Sequence, residues 1–170
     1  GILPAAGFGI SLGAAAMGMD LGPAQRVLDA ARKLSLVERL RTDGDGPVRW
    51  RVHPLLAAHL RGRVDDDAAG DRVTAWFMAR LPKPADDDYT TWRELNAEHP
   101  ALAQWLRRMP SEQRPEVVAD TWYGHQNGPW AAWAAFCEDL LETEPAPEVK
   151  SKALWLLGQS RASLGQGDEA

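Results

Sequence analysis

The 170-residue chain has a single cysteine, Cys137. No disulfide can form within it, which fits a reducing compartment. No apolar run approaches the ~18 residues that a membrane span requires. The uncharged opening Gly1–Gly7 lacks the basic residues of a secretory leader. The reading is a cytoplasmic protein without a membrane segment. No Gly-x-x-x-x-Gly-Lys-Ser/Thr loop occurs, so the backbone cradle that holds nucleotide phosphates is missing. Gly7-Phe8-Gly9 is too short and too apolar to replace it. The four histidines, His53, His59, His99 and His125, are scattered, with no spacing that pairs a nucleophile with its base. His125 and Cys137 fall on separate predicted helices, and two ligands so placed make a poor metal site. Cys137 lies on an apolar helical face, where a thiol behaves as a small hydrophobe. No catalytic residue and no metal ligand is expected, and the chain reads as non-enzymatic.

Against these absences stand eight tryptophans, a number that suggests helices packing through large aromatic knobs. The net charge of −5 is unevenly spread. Residues 1–63 hold nine Lys and Arg against five Asp and Glu, and residues 64–170 hold ten against nineteen. The sign reverses at Val64-Asp65-Asp66-Asp67, which reads as a domain boundary. The acidic half repels phosphate, so its tryptophans read as core rather than as a platform for stacking bases.

In the first half, an Ala-rich helix spans Ser11–Met19, with Ser11 able to cap its first turn. Gly22-Pro23 opens a second helix whose buried face is Val27, Leu28, Ala31 and Leu34. A strand starts at Leu36–Leu40, Asp43-Gly44-Asp45-Gly46 makes a turn, and Val48, Trp50 and Val52 alternate with Arg49, Arg51 and His53 in a second strand. A helix follows from Pro54 to Arg63. Helix, helix, hairpin is the order of a winged helix, with the wing at residues 43–46. Such a unit can read DNA through its second helix, using Arg26, Arg32 and Lys33. Asp29 sits among them and the helix is otherwise rich in Ala and Leu, so a packing domain with solvated arginines is the other reading. His53 stands where strand becomes helix, held by both elements, and reads either as a ligand-sensing residue or as a capped corner histidine with no ligand.

From Ala68 onward only helical periodicity is present. Val73, Trp76, Phe77 and Leu81 form one stripe, ended by Pro82-Lys83-Pro84. Asp86-Asp87-Asp88 lacks the ligand spacing of a calcium loop and reads as a solvated stretch before a helix N-terminus. Thr91-Trp92-Arg93-Glu94 has a capping-box pattern and starts a helix that continues, bent at Pro100, through Leu106. Further helices are expected at Val117–Gly124, at Pro129–Leu141 with Trp130, Trp133, Cys137 and Leu140-Leu141 on one face, and at Lys150–Leu164.

Leu3-Pro4, Gly7-Phe8, Leu28 with Ala31, Leu36-Val37-Glu38 and Val52-His53-Pro54-Leu55-Leu56 together resemble the winged-helix domain of STAND-class NTPases. These are the NB-ARC type of bacterial regulators and of plant and animal immune receptors. The last run matches that family's Met-His-Asp motif, with Val52 in place of Met and Pro54 in place of Asp. The resemblance implies that His53 contacts the phosphates of bound ADP and holds an inactive state. Trp92–Leu102 and Gly128-Pro129-Trp130-Ala131-Ala132-Trp133 resemble runs in antibiotic-regulatory STAND proteins of actinomycetes. Leu157-Gly158, Gly165 and Ala170 resemble the first helix and turn of a tetratricopeptide (TPR) repeat. The expected architecture is mainly α: a winged-helix domain with a β-hairpin at 1–64, a helical connector at 65–149 and a truncated TPR repeat at 150–170. The chain begins at Gly1-Ile2 and stops inside a repeat, so a fragment of a larger regulator is expected.

The implied function is non-catalytic: coupling the nucleotide state of an upstream nucleotide-binding domain, in cis, to a TPR array that senses a protein ligand. No cofactor is expected in this chain, with ADP or ATP and Mg held by the parent. Specific DNA binding is not expected. The rivals are a DNA-binding winged helix with a helical dimerisation domain, and a STAND-type anti-phage protein.

Overall fold

A computed structural model of the chain describes residues 3–40, 47–60, 67–82 and 90–165. The expected wing turn at 43–46, the acidic run 86–88 and the expected start of a second repeat helix at 167–170 lie outside the described residues. The described residues are mainly helical with one small three-stranded sheet. The chain divides into two compact units, Gly1–Phe77 and Met78–Ala170.

In the first unit, strand β1 (Phe8–Gly9) leads into helices α1 (Ile10–Met17) and α2 (Leu21–Lys33). The antiparallel pair β2 (Val37–Leu40) and β3 (Arg49–Val52) follows, then α3 (Pro54–Leu60) and α4 (Asp67–Met78). The sheet order is β1-β3-β2, so the hairpin strand carrying Trp50 is central. Phe8 pairs with Trp50 on one side, and Arg39 pairs with it on the other. The third strand, β1, is an addition to the expected hairpin. Phe8, Leu12, Leu28 and Trp50 form the core, and Trp50 is wholly buried.

Ser11 does not cap α1. It sits inside the helix, and its hydroxyl oxygen accepts from the Trp76 indole N–H at 3.1 Å. Helix α1 ends in a left-handed Gly18, and the Arg72 guanidinium donates to the carbonyls of Ala15 and Ala16 in its last turn. That is the favourable pole for a cation. Charge reversal pointed to a division at 64–65, but Arg72 and Trp76 of α4 bind α1, and the first compact unit runs to Phe77.

Helix α2 differs from its expected face. Ala24 and Leu28 are buried, whereas Val27 and Leu34 are 43% and 70% exposed. Ser35 closes the helix in the left-handed region at φ 58. Its N–H bonds Arg32 O and the Leu36 N–H bonds Ala31 O, a Schellman end with serine where glycine is usual.

The second unit holds α5 (Thr90–Ala97), α6 (His99–Arg108), a 3-10 turn at Ser111–Gln113, α7 (Arg114–Asp120), α8 (Tyr123–Gln126), α9 (Trp130–Leu141) and α10 (Pro147–Ser163). Among the described residues it has no strand. Helix α9 packs along α10 and also against α6 and α7. Of its expected face, Trp133, Cys137 and Leu140 are buried and Trp130 and Leu141 are half-buried, while Phe136 joins the buried side. The Trp133 ring lies so close to Gly124 and Gly128 that a Cβ on Gly128 would sit 2.5 Å from it. The single helix expected through Pro100 is two helices, with Pro100 in the first turn of α6. Glu94, expected to cap α5, instead accepts from Arg80 at 3.1 Å.

Candidate functional site: the strand-to-helix corner at His53

His53 belongs to both elements it joins. Its N–H donates to Leu36 O at 2.9 Å, extending the β2–β3 ladder by one bond. Its carbonyl accepts from the Ala57 N–H at 2.9 Å, the first bond of α3. Pro54 occupies the first helical position, where a missing N–H costs nothing. The His53 side chain closes the corner: Nδ1 accepts from the Leu55 N–H at 3.3 Å, in the manner of a side-chain N-cap. An Nδ1 that accepts leaves the proton of the neutral ring on Nε2. The half-buried imidazole therefore has one N–H donor that α3 does not use.

The surroundings are a fixed ion pair and exposed apolar groups. Arg51 binds Glu38 across the sheet at 2.5 Å. The hydrogen bond and charge of Arg51 hold the Glu38 carboxyl below the usual carboxylate range. Arg51 is thereby engaged beside His53. Leu55 is 76% exposed, and Leu36, whose carbonyl holds His53, is 38% exposed. This corner can offer one neutral hydrogen-bond donor next to apolar contact area. The two basic groups of the corner are already engaged, the Glu38 carboxylate by Arg51 and the His53 Nδ1 by the Leu55 N–H.

The other sequence candidates do not join it. Arg26, Arg32 and Lys33 are exposed on α2, while Asp29 accepts from Gln25 at 2.9 Å. Cys137 is wholly buried, and burial, with the charge of Glu138, pushes its thiol up to about 12, which makes it inert. The His125 side chain lies outside the described residues. Among the described residues no group of three or more His, Cys, Asp or Glu is placed to hold a metal, and no helix is long and apolar enough to cross a membrane.

One cluster was not anticipated. In the second unit the Tyr123 hydroxyl donates to Asn96 Oδ1 at 2.5 Å, and His99 Nε2 lies 2.6 Å from the Tyr123 oxygen. With the hydroxyl proton given to Asn96, His99 must be the donor. Burial holds the Tyr123 hydroxyl protonated far above its ordinary range and pushes the His99 imidazole below its own. The Tyr123 hydroxyl and His99 Nε2 protons are both committed, and the cluster ties α5 and α6 to α8. Sequence spacing carries no sign of it, because Tyr123 is 24 residues from His99. Comparison of the chain with protein-family models, with curated proteins and with solved structures finds no match in any of the three.

Proposed function

We propose that this chain is a non-catalytic regulatory segment of a STAND-type signalling NTPase. In this reading the first unit is a winged helix that reports the nucleotide state of an ATPase module in cis. The second unit leads into a TPR array that senses a protein partner. His53 carries the proposal. Its Nδ1 is committed to α3, so the ring orientation and tautomer are set before any ligand arrives, and Nε2–H is left to meet a phosphate oxygen. The order of strand, two helices and hairpin in the first unit supports the same reading. Pro54 supplies no carboxylate where the resembled motif has one, so the histidine acts without that partner.

The test is ADP release from the full-length protein. A hydrogen bond to a charged phosphate contributes roughly 1.5–3 kcal/mol, so His53→Ala should speed release by about ten- to hundredfold. His53→Asn separates the two roles, because Asn caps a helix well but lacks the ring donor. It should release ADP as fast as His53→Ala while α3 stays intact. Release as slow as wild type in both variants, or a full-length protein that binds no nucleotide, rejects the proposal.

A further inference from the structure

Helix α2 has an apolar face about twice as wide as the first unit covers. Residues advance by about 100° around a helix, so Ala24, Leu28 and Ala31 share one arc. Pro23, Val27, Ala30 and Leu34 share the neighbouring one. The first arc faces the core, with Ala24 and Leu28 buried. The second carries Val27 and Leu34 at 43% and 70% exposure, with Ala30 exposed between them. Arg26 and Lys33 border this stripe on the side away from the core. Both are exposed, and neither has an ion-pair partner among the described residues.

We propose that the Val27–Ala30–Leu34 stripe is a docking face for an amphipathic helix of a partner protein, one whose apolar ridge is edged by Asp or Glu. Ridge-into-groove packing suits residues at i, i+3 and i+7 with a small residue in the middle, because Ala30 lets the partner backbone approach. The unpaired cations on one flank select the sign of the partner's edge and its orientation. DNA fits the stripe poorly. The outward face of α2 presents Val, Ala and Leu, which offer no hydrogen bonds to base edges. A lipid surface also fits poorly, since α2 has no aromatic anchor and only one basic flank. The inference uses neither His53 nor a nucleotide, so it stands or falls separately from the proposed function.

The probe is a synthetic helical peptide with Leu at i, i+3, i+4 and i+7 and Glu along one edge. It is titrated into the chain while the backbone amides of α2 are followed by NMR. Binding should shift Val27, Ala30 and Leu34 and should weaken as salt is raised. The double change Arg26→Glu with Lys33→Glu should weaken it roughly tenfold, the worth of two exposed charge pairs, and should create binding to the same peptide with Lys for Glu. Ala30→Glu should abolish binding of the Glu-edged peptide with the far-UV spectrum unchanged. Binding that ignores these variants overturns the proposal. So does self-association of the chain through α2, specific binding of duplex DNA, or partition of the chain onto anionic vesicles in preference to the peptide.

Discussion

Helix α9 of the second unit and helix α2 of the first use their apolar residues differently. In the second unit, helical periodicity and burial largely coincide along α9: Trp133, Phe136, Cys137 and Leu140 share a stripe and are buried, while Trp130 and Leu141 at its edges are half-buried. In the first unit periodicity outruns burial. Met19, Leu21, Val27, Leu34, Leu36 and Leu55 are all more than a third exposed, although the unit has a core around Trp50 to receive them. A helix that is apolar only where it is covered is specified by its own fold. Helix α2 is apolar over twice that arc, and the excess needs a reason outside the unit. The second unit also exposes Trp122, Leu154, Trp155 and Leu164, so the contrast is between two helices: α9 is covered along its apolar stripe, and α2 along only half of its own.

The largest expected effect lies in the scaffold. Trp133 is fully buried, held against Gly124, Gly128 and the Phe136 ring. Trp133→Ala should cost about 3–5 kcal/mol, read as a lowered urea midpoint with an unchanged slope. Its indole N–H has no hydrogen-bond partner among the described residues. An unpaired buried donor already costs about 1–3 kcal/mol, so Trp133→Phe should cost clearly less than Trp133→Ala. Equal losses would mean that the indole N–H is satisfied in solution.

A smaller effect, in the second unit, is the loss of stability as pH falls below 6.5. Burial lowers the His99 pKa from 6.5, so the folded state resists the proton that the unfolded chain accepts. Above 6.5 neither state is protonated and His99 contributes no slope. As pH falls below 6.5 the unfolded state gains a proton first, and stability drops until the folded pKa is reached. The slope cannot exceed about 1.4 kcal/mol per pH unit. His99→Gln should flatten the urea midpoint between pH 6.5 and 5. A slope that survives this substitution would assign the titration elsewhere.

How far the chain could be read in advance depended on whether the deciding contact was local. The alternation around Trp50 and the spacing of Trp133, Cys137 and Leu140 are local, and β3 and α9 appear where expected. The helix expected at 117–124 is broken because the N–H groups of Trp122 and Tyr123 both donate to Leu81 O at 3.0 Å. That is a contact over some forty residues that no window detects. Strand β1 has two residues, too few to show a period, and exists because β3 offers an edge. His53 was legible as a corner residue from the meeting of two periodicities. The acceptance by its Nδ1 of the Leu55 N–H, which sets its tautomer, required coordinates.

The smallest expected effect tests the comparison most directly. Val27 and Leu28 are adjacent on α2, yet one is 43% exposed and the other 5%. Leu28→Ala removes buried methyl groups and should cost about 2–5 kcal/mol. Val27→Ser removes one methyl group and exchanges the other for a hydroxyl, at a site that this unit leaves open. Serine and valine have nearly equal helix propensity, so the stability of the chain alone should change by less than about 0.5 kcal/mol. The same substitution places a hydroxyl in the centre of the proposed docking stripe, where its desolvation opposes binding of the Glu-edged peptide. A neutral urea midpoint with weakened peptide binding is the expected pair of results. If Val27→Ser instead destabilises the chain as much as Leu28→Ala, Val27 is covered by the chain itself in solution, and the contrast between α2 and α9 disappears.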